Sequence, residues 1–120
     1  VAERVAIVGS RNWKDHIAVC DAVRRLKAGT VVVTGGARGV DTMAEQEALE
    51  IGLTAVVVKP SWVLGRHAGI KRNQIIVDIS NRGIAFWDGQ SPGTADTIEK
   101  FRRAGKPIEV IERQGDKNGK

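Results

Sequence analysis

Tyrosine is absent from this chain of 120 residues, and aromatic residues make up only 4% of it. A core of that composition has to be assembled from Val, Ile, Leu and Ala. The same scarcity leaves no interleaved aromatic platform on which the bases of a single strand could stack. The lone cysteine, Cys20, excludes an intrachain disulfide framework. With only two histidines, His16 and His67, in unrelated segments, a zinc site is excluded too. No apolar run approaches the ~20 residues of a membrane span, so no membrane partner is expected. No secretory signal is visible, which sets a reducing cytoplasm as the expected compartment. G-x-G-x-x-G and G-x-x-x-x-G-K-[ST] are both missing, which removes the dinucleotide fingerprint and the P-loop. No Ser-His-Asp arrangement can be drawn.

What is present is globular in character, with 42% hydrophobic and 28% charged residues. The length suits one domain. We place it over residues 1–111, with a basic tail over 112–120 that reads as disordered. The formal net charge of +5 points to an anionic partner.

Apolar β-branched runs alternate with helical patterns along the chain. Arg4 to Arg11 and Val31 to Thr34 read as buried strands that stop in glycine. Leu53 to Val58, Gly83 to Trp87 and Pro107 to Ile111 complete the set. Between them lie four helical segments. The first is capped by Asn12 or Asp15 and carries Ile17, Cys20, Val23 and Leu26 on one face. The second carries Met43, Ala44, Ala48 and Ile51. The third runs from about Gly65 to Ser80 with Ile75, Ile76 and Ile79 as core candidates. The fourth carries Ala95, Ile98, Phe101 and Ala104. This alternation predicts an open α/β sheet of about five parallel strands with helices on both faces, in the order 3-2-1-4-5. That order brings the exits of strands one and four to a topological switch point, where ligands bind.

Four clusters then converge on one rim. They are Gly9-Ser10-Arg11, the turn Gly35-Gly36-Ala37-Arg38-Gly39-Val40-Asp41, the pair Arg72-Asn73, and Asp88-Gly89 with Gly93-Thr94. A strand ending in glycines before a helix leaves backbone N–H groups free at a positive dipole end, and glycines let a ligand approach closely. Asp41 is alternatively a helix cap. Arg72 is suited to clamp a phosphate or carboxylate with two donors. Ser91-Pro92-Gly93-Thr94 offers a second anion seat, with proline fitting a first helical position. Asn73 alternatively ties one loop to another. Trp62 and Trp87 are assigned to core or interface packing, with stacking on a base as the alternative.

Three of these stretches resemble a known superfamily: Val5-Ala6-Ile7-Val8-Gly9-Ser10-Arg11, Thr34 to Asp41, and Arg72-Asn73. It is the SLOG superfamily, which joins the DNA-processing protein DprA (Smf) to the LOG phosphoribohydrolases. The likeness is strongest to its small YspA-like, YpsA-related branch, where the fourth strand and its exit look like Ala85-Phe86-Trp87-Asp88-Gly89 with a later Gly93-Thr94. It covers nearly the whole chain, from about Arg4 to Val110. The resemblance implies a three-layer Rossmann-like fold, a nucleotide or nucleotide-derived ligand, and a homo-oligomer. LOG enzymes cleave the N-glycosidic bond of a nucleoside monophosphate and carry P-G-G-x-G-T-x-x-E. Here Gly93-Thr94 matches the G-T, but Thr97 stands at the glutamate position. Asp96 comes one residue early, which rotates its side chain by ~100° on a helix. Arg72 aligns with the LOG arginine.

The leading expectation is a binding module that needs no metal or further cofactor. Arg11, the Gly35 to Gly39 backbone, Arg72 and Thr94 would hold phosphate, and Asp41 or Asp88 would accept from a ribose hydroxyl. The alternative is a nucleoside-monophosphate phosphoribohydrolase with Asp96 or Asp88 in place of the glutamate and water as nucleophile. A second alternative, ranked lower, is DprA-like binding of single-stranded DNA.

Overall fold

The computed structural model describes residues 2–112. The last eight residues of the proposed tail, 113–120, lie outside the described residues. Five parallel strands form one sheet: β1 (Arg4–Gly9), β2 (Val31–Thr34), β3 (Thr54–Val57), β4 (Arg82–Trp87) and β5 (Ile108–Glu112). Their order is β3-β2-β1-β4-β5, as the strand and helix alternation predicts. The central pair is in register from Val5 opposite Arg82 to Gly9 opposite Phe86. Four helices connect the strands: α1 (His16–Arg24), α2 (Val40–Glu50), α3 (Ala68–Ile79) and α4 (Pro92–Arg103). A short 3-10 segment, Trp62–His67, precedes α3.

Successive strand residues point to opposite faces, and the core divides accordingly. Val5, Ile7, Val32, Ile84 and Phe86 pack with Val19 and Val23 of α1 and with Val40, Ala44 and Ala48 of α2. Ala6, Val8, Val33 and Ala85 pack with Ile76 and Val77 of α3 and with Ile98 and Phe101 of α4. Trp13 closes the first layer edge-on to Phe86, with ring centroids 5.5 Å apart. Burial of both sheet faces explains why β1 and β4 read as unbroken apolar runs.

Some helix faces differ from the expectation. On α1, Ile17 is 73% exposed and Cys20 half-buried, while Val19, Ala22 and Val23 face the sheet. Six of the nine residues of α1 are apolar, so two stripes with helical spacing compete, and only packing chooses between them. Its cap is Asp15, whose carboxylate accepts from the Ala18 N–H. Ile51, Ile75 and Ala104 are exposed rather than core, because each falls on a solvent side of its helix or just past its end. On α4 the buried stripe is Thr94, Thr97, Ile98 and Phe101. The third helical pattern begins earlier than α3: Gly65, at φ 71°, kinks the 3-10 segment from within, and α3 itself starts at Ala68. Trp62 is exposed, and Trp87 is half-buried against the second core layer. No helix among the described residues is long and apolar enough to cross a membrane.

Candidate functional site

β1 and β4 are neighbours, yet the chain leaves β1 for α1 on one face and β4 for α4 on the other. The divergence opens a crevice beyond their carboxyl ends. A cavity of about 530 Å³ lies there. Val8 and Ile76 supply apolar lining. Around them stand Ser10, Arg11 and Asn12 from the β1 exit, Asp41 from the first turn of α2, and Arg72 and Asn73 from α3. Ser91, Pro92, Gly93, Thr94 and Thr97 close the side formed by the start of α4.

Asp41 organises the glycine turn. Only 4% of it is exposed. Its Oδ2 accepts from the Gly35 N–H at 2.9 Å and from the Ala37 N–H at 3.3 Å. A buried carboxylate needs such partners. Burial pushes its pKa up from 3.8 to about 6, although the N–H groups of Ala37 and Gly35, the Arg72 charge and the Gly9 N–H all pull the other way. The sequence pattern predicts that this turn aims its backbone N–H groups at a ligand phosphate. Two of them instead hold the protein's own carboxylate. Gly35 is small because it must be: a Cβ there would stand 2.7 Å from Arg72 Nη1 and 3.0 Å from Asp41 Oδ2. Gly39, at φ +84°, lies against the Arg11 carbonyl, which a Cβ would meet at 2.6 Å.

Arg72 is oriented from two sides. Its Nη1 donates to the Gly35 carbonyl, and its Nε donates to Asn73 Oδ1 at 3.0 Å. The remaining guanidinium donors take no partner among the described residues and can serve a ligand. Burial draws its pKa below the ordinary arginine value; Asp41 raises it and Arg11 lowers it further. Asn73 is 7% exposed and spans two helices. Its Nδ2 donates to Asp96 Oδ2 at 3.0 Å and to the Gly93 carbonyl at 3.4 Å, so it ties α3 to the first turn of α4.

Asp88 builds the turn into α4. Its carboxylate accepts from the Gln90 N–H at 2.9 Å, the Ser91 N–H at 2.7 Å and Ser91 Oγ at 2.9 Å. Partial burial pushes its pKa up, but the donors on Ser91, Gln90 and Ser10 together outweigh it and leave the group lowered to about 2. Ser10 Oγ accepts from the Asp88 N–H at 3.1 Å and joins the β1 exit to the β4 exit.

Of the residues singled out from sequence, Gly9, Ser10, Arg11, Asp41, Arg72, Asn73, Gly93 and Thr94 line the cavity. Gly35 stands just behind it, between Asp41 and Arg72. Gly36, Ala37, Arg38, Gly39, Asp88, Gly89 and Asp96 are not on its wall. Asp96 is paired through Oδ1 with Lys100 Nζ at 2.7 Å. Ser91 and Pro92 of the predicted anion seat line the cavity as well, and the wall also includes Val8, Asn12, Ile76 and Thr97, which the sequence does not single out as site residues. Ile76 carried no signal, since an apolar helix residue gives no sign of whether a cavity lies beside it.

A doubly wound parallel sheet with a cation-lined crevice at its switch point is the frame of a Rossmann-like α/β protein. The chain belongs to the YspA, cpYpsA-related SLOG family, whose profile (YAcAr) matches residues 3–65. It is 35% identical over 116 residues to Gene 61 protein of Mycobacterium phage D29, covering 88% of this chain and 93% of that protein. Solved structures of similar fold include DNA processing protein A (DprA) of Streptococcus pneumoniae, with TM-score 0.83 and 22% identity over 94% of this chain. The chain spans about half of that protein, 51% of its length. The DprA of Helicobacter pylori, whose structure describes a single-stranded DNA binding mode, matches with TM-score 0.79 and 21% identity over 93% of this chain and 66% of its own. The molybdenum cofactor binding protein of Rippkaea orientalis matches with TM-score 0.78 and 20% identity over 99% of this chain and 82% of its own. At these identities the likeness to the three structures is one of fold.

Proposed function

We propose that this protein binds a nucleotide or nucleotide-derived ligand in the switch-point cavity and does not cleave it. One observation carries the reading: Arg11, Arg72 and the start of α4 meet on a single cavity of about 530 Å³. The first helical bond of α4 runs from the Ala95 N–H to the Ser91 carbonyl, so the N–H groups of Gly93 and Thr94 have no partner within the helix. They and the helix dipole favour a phosphate, with the two arginines supplying charge. Val8, Ile76 and Pro92 offer apolar contact to the rest of the ligand.

Cleavage is disfavoured by how the carboxylates are used. Asp96 is engaged by Lys100 and Asn73, and Asp88 by its own turn. Thr97, at the position of the LOG glutamate, donates its hydroxyl to the Gly93 carbonyl at 3.3 Å. The test is a panel of nucleoside monophosphates, followed by thermal shift and by chromatography for free base. A ligand at ~100 times its Kd should stabilise the fold by about 2.7 kcal/mol, with no base released. Absence of stabilisation across nucleotides and their derivatives would overturn the proposal. Release of base that disappears in Asp96→Ala would replace it with a phosphoribohydrolase.

A further inference from the structure

Asp41 has one oxygen to spare. Oδ2 takes both N–H groups of the glycine turn and the Gly9 N–H also faces the carboxylate, while Oδ1 takes no hydrogen bond of normal length among the described residues. The residue is 96% buried by the complement of its 4% exposure, and what exposure it has belongs to the cavity it lines. Oδ1 is open to the cavity rather than sealed in protein, and a ligand that fills the cavity cuts it off from water unless it brings a donor of its own. Asp88 cannot play this part, because three donors on Gln90 and Ser91 occupy its carboxylate and it is not on the wall.

The position of Asp41 limits what the donor is. Asp41 Oδ2 and Arg72 Nη1 flank the same Gly35 Cα, each within 3.0 Å of where a Cβ would project. Arg72 is one of the two cations assigned to the phosphate. In a nucleoside 5′-phosphate the sugar is the part joined directly to that phosphate, and its cis-diol carries the neutral O–H donors. The base lies further along the ligand.

Resting on the nucleotide reading above, we infer that Asp41 accepts from a ribose hydroxyl through Oδ1, and that the site therefore selects ribonucleotides over deoxyribonucleotides. A site built to bond a hydroxyl rejects the analogue without it, since the buried acceptor is then left unpaired. The proposal also gives the glycine turn a different task from cradling phosphate. Its N–H groups hold the reader of the sugar in place.

The experiment measures affinities of the four nucleoside 5′-monophosphates and their 2′-deoxy and 3′-deoxy counterparts by calorimetry. It uses the wild-type chain and Asp41→Asn. The substitution is isosteric: the amide oxygen keeps the Gly35 and Ala37 N–H groups, and the NH₂ turns a donor toward the cavity where an acceptor stood. Wild type is expected to favour the ribose form of its preferred nucleotide by roughly tenfold or more over at least one deoxy form. Asp41→Asn should bring the two forms within about twofold of each other. Equal wild-type affinities overturn the inference and leave nucleotide binding standing. A preference that survives in Asp41→Asn also overturns it, by assigning the sugar to another residue. No binding of any mononucleotide overturns the inference, whereas the nucleotide reading falls only if nucleotide derivatives also fail to stabilise the fold. The wild-type comparison needs no variant, so a fold defect in Asp41→Asn leaves the test intact.

Discussion

Asp41 and Asp88 sit at two exits of one sheet and titrate in opposite directions. Burial raises Asp41 from 3.8 to about 6, so between those values the native state binds more protons than the unfolded chain. Stability from this group is complete below pH 4 and is lost as pH rises through 6, by on the order of 3 kcal/mol. Asp88, lowered to about 2, contributes above pH 4 and loses its contribution as pH falls toward 2. Urea midpoints of wild type and Asp41→Asn, measured from pH 4 to pH 8, should therefore converge at the acid end. They should separate in favour of the variant above pH 6. Parallel curves would show that Asp41 ionises at an ordinary carboxylate pH. The cost of keeping this carboxylate charged near neutrality fits a residue held for a ligand rather than for the fold. The type and position of Asp41 were plain in the sequence, beside the glycines that it bonds. Its two uses, as internal anion and as free acceptor, were not. They depend on a chain reversal that brings Gly35 within 2.9 Å of a side chain six residues on.

At the scale of elements, the site depends on α3 and α4 keeping a fixed relation. Asn73 provides it by accepting from Arg72 and donating to Asp96 and Gly93. Placing a carboxylate there sets two negative groups against each other at the 3.0 Å contact with Asp96. Asn73→Asp should cost about 2 kcal/mol or more, since it strands a buried charge beside its like. Combining it with Asp96→Asn restores donor opposite acceptor and should recover at least half of the loss. Chemical denaturation of the two single variants and the double gives the coupling directly. A purely additive double variant would show that the two side chains do not interact. Arg72-Asn73 was legible as a motif, and a loop tie was among its readings. Its partners were not, because Asp96 is 23 residues away and meets it only when both helices pack on the same sheet face. The face of α1 failed for a related reason. Ile17 and Val19 are equally apolar, and the contact with the sheet, not the spacing, selects Val19.

The molecule as a whole carries a net charge of +5, and that charge acts on any polyanion whatever its site. A strand that neutralises several cations loses affinity with salt in proportion to the phosphates contacted, whereas one cavity-bound phosphate loses little. Raising salt from ~50 to ~200 mM should weaken oligonucleotide binding by tenfold or more and mononucleotide binding by about threefold at most. Saturating mononucleotide should leave the oligonucleotide signal in place at low salt. Full displacement in a competition titration would instead put the strand in the cavity.

Sequence alone determined the strand order and the rim on which the glycine turns gather. Apolar β-branched runs alternating with helical patterns admit few right-handed parallel topologies, and all strands of such a sheet end on the same side. Only the tertiary structure decided which of the gathered residues face the cavity and which are consumed in building it. That choice rests on distances of 3.0 to 3.4 Å between groups far apart in the chain, on Asn73 reaching Asp96 and Gly93 and on the Asp88 N–H reaching Ser10. Hydrogen bonding at that range follows from packing, and local residue patterns do not encode it.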